Sequence, residues 1–189
     1  MNKHIQISSK TEIERLKSIL VESSVQTRER LLDLAMATNA SDFLKEIRFG
    51  KVGCDPLDKE RHLNIVEQLN QMFTYLASLL AVECLLDEHP EAIPFTLNLG
   101  TSAGSDIQSS GDGGIVAEVF ATINRSNNQK LKKDLKKISE KEATHKYVFF
   151  MCPGHMEGKQ KSIPQYPDVT IWALSAPNAE PEPKPRTTL

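Results

Sequence analysis

The chain has little cysteine, no net positive charge and no long unbroken apolar run. Three cysteines among 189 residues, Cys54, Cys84 and Cys152, are widely spaced and odd in number. They exclude a disulfide framework as the organising principle and make a reducing cytoplasm the expected setting. The opening MNKHIQISSKTEIERLK lacks the apolar segment of a secretory signal. The most apolar stretch, near Leu69 to Leu86, is interrupted by Asn70, Gln71, Thr74, Ser78 and Glu83. No membrane span and no membrane partner are expected. The formal net charge is −2, which excludes a binder driven by global basicity. No GK[ST] follows the glycines of 100–114, so there is no Walker motif, and no Gly-x-Ser-x-Gly element occurs.

What is present is ordinary for one globular domain: 39% hydrophobic and 25% charged residues. Its charge, however, is segregated. Residues 1–100 balance to −4, residues 101–124 carry only Asp106, Asp112 and Glu118, and residues 125–164 balance to +6. An acidic cluster beside a basic helix suits an anionic polymer whose chemistry needs a cation. A solvated lysine-rich helix face beside a loop gives the same charge pattern.

Thr11 and Glu14 read as a capping box for a first helix over 11–23, with Ile13, Leu16, Ile19 and Leu20 at helical spacing. A second helix is expected over 26–38, and a short one after Ser41. Residues 50–56 read as loop. A long helix follows over 58–87, capped by Asp58, with Val66, Leu69, Met72, Phe73, Leu76, Leu79 and Leu80 on its apolar face. Glu83 falls near that face, with nothing in the sequence to account for it.

After Pro94 the period becomes two. Strands are expected over 95–99, 105–108 and 114–123, with the Asp-Gly turn of SSGDGG between the last two. A helix over 126–143 presents Leu131, Leu135 and Ile138 on one face. Strands at 147–151 and 169–176 complete the pattern, and the Pro-rich end reads as disordered. The expected fold is an α/β sandwich with a mixed sheet. Its parts are an N-terminal helical extension (1–57), an α/β core (58–176) and a tail (177–189).

Asp106 and Glu118 fall on adjacent strands of the meander. Carboxylates opposite one another across antiparallel strands lie about 5 Å apart, which is costly if both ionise. A divalent cation relieves that cost, and Mg²⁺ takes one or two carboxylates together with water and phosphate oxygens. Glu118 interrupts the apolar run Ile115, Val116, Ala117, Val119, Phe120, and a carboxylate buried without a partner is expensive. Cys152 and His155 have the spacing of half a zinc site with no second pair, and His62, His89 and His145 show no pairing in the sequence.

The motifs GSDI at 104–107 and AEVF at 117–120, in the order helix, three-strand meander, helix, strand, resemble the PD-(D/E)XK nuclease superfamily. The resemblance covers about residues 60–152. It implies a restriction-endonuclease-like core and metal-dependent hydrolysis of DNA, with Asp106 and Glu118 as metal-binding acids. The metal would be Mg²⁺ or Mn²⁺, and a restriction or defence role would follow. One departure is that Phe120 stands where the family has its lysine. Some members draw that lysine from the following helix, where Lys130, Asp134, Lys137 and Lys141 form a stripe beside the apolar face. Lys130 is the expected replacement, with Lys133 next. Glu67, on the helix before the meander, is the expected fourth catalytic residue. Lys132, Lys133, Lys136 and Lys137 form the expected nucleic-acid surface. The expected partners are DNA, with RNA open, and a second copy of the chain. A non-catalytic binding subunit that kept the fold and lost the lysine is the alternative.

Overall fold

The computed structural model describes residues 4–99, 104–109, 114–124 and 129–176. Its centre is a seven-stranded mixed sheet in the order β1-β4-β5-β6-β7-β9-β8. The strands are β1 (His4–Ile7), β4 (Phe95–Asn98), β5 (Ile107–Ser109), β6 (Ile115–Ala121), β7 (His145–Met151), β8 (Gly158–Lys159) and β9 (Val169–Leu174). Strands β1, β4, β5 and β6 run antiparallel in succession, β7 and β9 continue parallel to β6, and β8 closes the edge antiparallel to β9. The parallel step from β6 to β7 is made through α4 (Lys130–Ser139). The α/β class with a mixed, helix-flanked sheet therefore holds.

Alternation along β6 sorts its side chains onto two faces. Ile115, Ala117 and Val119 join the larger core with Ile13, Leu16 and Leu20 of α1 (Lys10–Ala37) and Tyr75, Leu79, Val82 and Leu85 of α3 (Ile65–Glu88). Phe120 joins the smaller core with Leu131, Leu135 and Ile138 of α4. Glu118 has the parity of Phe120 and therefore faces α4.

Several expected boundaries are corrected. The two helices expected over 11–23 and 26–38 are one 28-residue helix, α1. Nothing in Glu22–Val25 breaks it, because Ser24 and Thr27 donate their hydroxyls to the carbonyls of Leu20 and Ser23 within the helix. Its capping box is Ser9 with Glu12, ahead of the expected Thr11 and Glu14. The short helix α2 (Ala40–Phe49) is capped by Asn39. Residues 53–63 form a hairpin, β2 (Gly53–Asp55) with β3 (Asp58–Leu63), so Asp58 opens a strand and the long helix begins at Ile65, capped by Asn64. The expected division at 57/58 falls inside this hairpin. Polar Gln68 hid the start of the helix. It is buried, accepts from the Cys54 N–H and donates to Ser23 and Thr27, tying the hairpin to α1. A Cβ at Gly53 would collide with its side-chain oxygen.

The face of α3 is also corrected. Val66, Leu69 and Phe73 are exposed, while Gln68, Tyr75, Ala77 and Ser78 are buried with Leu79. By length and apolarity alone α3 could cross a membrane; here it lies against β6, β7 and α1. Glu83 is explained by Lys17, whose Nζ lies 2.8 Å from its carboxylate. His89 and His145, expected to be unpaired, have ring centroids 4.4 Å apart, and His89 Nε2 lies 2.7 Å from the Tyr147 hydroxyl. Residues 110–113 of the expected SSGDGG turn and the tail from 177 lie outside the described residues.

Candidate functional site

The site lies between the α4 face of the sheet and the edge of α4. Pairing of Ile107 with Ala117 and of Gln108 with Val116 fixes the β5–β6 register. Continued by one residue, that register sets Asp106 opposite Glu118 and on the same face. Asp106 itself lies just before β5 rather than inside the strand. Its carbonyl still accepts from Asn98, and its Oδ2 accepts from the Val119 N–H at 2.8 Å. A strand partner on each side thus holds the residue, and the Val119 N–H fixes its carboxylate.

Helix α4 brings the remaining charges. Leu131, Leu135 and Ile138 anchor it to the sheet, and the stripe at its edge meets the two acids. Lys137 Nζ lies 2.8 Å from Glu118 Oε2, and Lys130 Nζ lies 2.8 Å from Asp134 Oδ1. Glu118 is 1% exposed and Asp134 3%. One oxygen of each, Glu118 Oε1 and Asp134 Oδ2, is buried without a hydrogen-bond partner.

Burial pushes all three carboxyls up. Glu118 is pushed up to about 7 by burial and by the neighbouring Asp106 charge, against the pull of Lys137. Asp106 is raised by burial and held back by the Val119 N–H and the two lysines. Asp134 is raised by burial against its bond from Lys130. Burial works most strongly against the Lys137 ammonium, but the bond to Glu118 and the charges of Glu118, Asp106 and Asp134 together outweigh it and leave that lysine raised. Three acids and two ammonium groups therefore share one partly desolvated recess.

The expected site residues distribute unevenly. Asp106 and Glu118 come together. Lys130 reaches the site through Asp134, while Lys137, expected only on the nucleic-acid surface, contacts Glu118 directly. Phe120 stacks on Phe150 with centroids 6.0 Å apart and belongs to the packing. Glu67 is exposed and closes the capping box of α3, its Oε2 accepting from the Asn64 N–H. Lys132, Lys133 and Lys136 are exposed along α4. Asp134, which the sequence places in the lysine stripe without a role, is the third acid of the site. Its signal is an acid between two lysines at i−4 and i+3, bordering an apolar helix face. Cys152 is buried and His155 packs edge-on to Phe150, with no zinc pair formed among the described residues.

No group of three or more His, Cys, Asp or Glu side chains among the described residues is arranged to hold a metal ion. Mg²⁺ needs only one or two carboxylates. The unpartnered Glu118 Oε1 beside Asp106 fits that smaller requirement. Compared with known proteins, the chain matches no family model, no curated protein and no solved structure.

Proposed function

We propose that the chain is a metal-dependent phosphodiester hydrolase acting on DNA. The observation that carries this reading is a carboxylate pair, half-buried Asp106 just before β5 and buried Glu118 opposite it on β6, with an ammonium on the following helix 2.8 Å from Glu118. The order α3, β4–β5–β6, α4, β7 supports the resemblance to the PD-(D/E)XK superfamily, and a restriction or defence role would follow from it. Asp106 and Glu118 would hold Mg²⁺ or Mn²⁺, which lowers the pKa of bound water and offsets charge on the phosphate. Asp106 is oriented for this by the Val119 N–H. Lys137 neutralises Glu118 in the free protein and supplies a cation at the phosphate once that carboxylate is engaged. Lys130 holds Asp134 against the same recess.

The test is incubation of the chain with plasmid DNA and Mg²⁺ or Mn²⁺, with EDTA as control. Cleavage is expected with metal alone, and Glu118→Gln should lower it by about 100-fold or more, the scale of removing one transition-state interaction. Failure to cut single- or double-stranded DNA with either metal overturns the reading.

One observation favours a second reading. Phe120 occupies the lysine position and is locked into the smaller core, and Lys137 already satisfies half of Glu118. A non-catalytic nucleic-acid-binding subunit would retain DNA on a filter without cutting it.

A further inference from the structure

The sequence His89–Pro90–Glu91 ends α3 and opens a 3-10 turn over Pro90–Ala92. Pro90 restricts the backbone of the histidine before it, and the Ala92 N–H closes the turn by donating to the His89 carbonyl. One short, stiff turn therefore carries both an imidazole and a carboxylate. His89 Nδ1 lies 3.5 Å from Glu91 Oε1. That is long for a hydrogen bond, which spans about 2.7–3.2 Å. It is close to the separation of about 3.4 Å between a nitrogen and an oxygen on one tetrahedral Zn²⁺, given ligand bonds of about 2.0–2.2 Å.

The second nitrogen of His89 is already held. Nε2 lies 2.7 Å from the Tyr147 hydroxyl. A ligating histidine gives its other ring N–H to a fixed acceptor, which sets its tautomer, and the Tyr147 oxygen is placed for that. His145 brings a second imidazole. It stands two residues before Tyr147 on β7, hence on the same face of the sheet. Its N–H donates to the Gly114 carbonyl, while its ring is exposed and free to turn. The ring centroids of His89 and His145 are 4.4 Å apart. Two imidazoles on one ion have centroids about 4.5 Å apart at a right angle and about 5 Å apart at the tetrahedral angle, given Zn–N of about 2.0–2.1 Å. No three ligands among the described residues are preset for a metal. His89 and Glu91 stand at ligand spacing, and a small turn of the His145 ring completes the set. The C-terminal end of the 24-residue α3 adds the negative pole of a long helix.

We propose that His89, Glu91 and His145 bind Zn²⁺ through two imidazoles and one carboxylate, with water in the fourth position and Tyr147 orienting His89. Imidazole suits Zn²⁺, whereas carboxylates and water suit Mg²⁺. The ion ties the end of α3 to the start of β7. Tyr147 belongs to the larger core and Glu118 faces α4, so this site and the carboxylate recess lie on opposite faces of the sheet. The inference is independent of the hydrolase reading.

Calorimetric titration of Zn²⁺ into the full metal-free chain, in excess Mg²⁺, tests the site. Excess Mg²⁺ occupies oxygen sites without competing for imidazole. One Zn²⁺ per chain is expected, with dissociation in the micromolar range or tighter. His145 is exposed, so His145→Ala keeps the fold. It should weaken binding by at least about tenfold, because losing even an outer partner of a ligating histidine costs about 10–100-fold. Glu91→Gln should weaken it similarly, and Cys84→Ser, which removes the half-buried thiol, should leave it unchanged. Long-range ¹H–¹⁵N spectra should show His89 Nδ1 and one nitrogen of His145 shifting together as Zn²⁺ is added, with His4, His62 and His155 unmoved. A parental chain that binds no Zn²⁺ in this range overturns the site. So does binding that His145→Ala leaves at parental strength, binding that Cys84→Ser abolishes, or shifts that fall on the other three histidines instead.

Discussion

An ionised Glu118 is costly to the fold, because its carboxyl is buried beside the Asp106 charge. An unfolded glutamate titrates near the ordinary value of 4.5, whereas in the folded chain burial and Asp106 push this one up to about 7. Between those values the folded chain keeps a proton that the unfolded chain releases. Stability therefore falls as pH rises through that window. The fall is on the order of 2–3 kcal/mol for a shift of this size, and the raised carboxyls of Asp106 and Asp134 add to it with the same sign. Urea unfolding at pH 5 and pH 8 should show this fall, and Glu118→Gln should remove most of it. An unchanged fall in that variant would assign the cost to the two aspartates. The lysines divide in a way the letters alone do not reveal. Lys130 stands in the first turn of α4 and looks nearest in sequence, yet its ammonium is held by Asp134, while Lys137, two turns along, touches Glu118. Lys137→Ala should lower cleavage by about 100-fold, the scale of removing one transition-state donor, with Lys130→Ala the milder of the two. Steady-state rates at saturating Mg²⁺ check this; the reverse ranking would return the role to Lys130.

Elements show why some of the fold was legible and some was not. Strand β4 and the anchoring face of α4 follow from periodicity, because each buries one whole side of a regular pattern, and β6 follows from an apolar run buried on both faces. The start of α3 misleads for the opposite reason. Its buried side carries Gln68, and buried Tyr75 donates to Asp55 beneath the hairpin, so polar contacts take the places where apolar periodicity would be sought. Asp55 is fully buried and also accepts from Arg61 and the Leu57 N–H. Short β1 pairs with β4 through His4–Ile7, a run too brief to register as a strand by itself. Likewise the carboxylate pair was legible because Glu118 breaks an apolar run, whereas Asp134 hides among lysines. Glu67 is the instructive case. Its place one turn into α3 is that of a capping partner, three residues after Asn64, and the structure uses it so. Asn64→Ala should cost about 1 kcal/mol of stability, the usual effect of removing an N-cap, measurable as a lowered denaturation midpoint. Glu67→Ala should cost less and leave the cleavage rate at the parental level. A drop in rate without a drop in stability would put Glu67 back in the site.

Across the whole molecule, the charge segregation seen in the sequence acquires a direction. The basic segment supplies α4, and α4 shows three sides: apolar Leu131, Leu135 and Ile138 on the sheet, the Lys130–Asp134–Lys137 edge on the site, and exposed Lys132, Lys133 and Lys136 outward. A duplex whose phosphate reaches Glu118 must approach over the edge, not over the back of the helix. On a 100° wheel Lys133 lies about 40° from Lys137, Lys136 about 100° and Lys132 about 140°. The three outward lysines should therefore contribute unequally. Removing one ammonium from a phosphate lowers the slope of log affinity against log salt by about 0.9. Lys133→Ala should show nearly that full decrement, Lys136→Ala less, and Lys132→Ala almost none. Filter binding of a non-cleavable duplex in Ca²⁺, from about 50 to 200 mM salt, measures all three. Equal decrements would make the back of α4 the footprint and separate DNA binding from the carboxylate recess. Three zero decrements would leave these lysines as solvated surface.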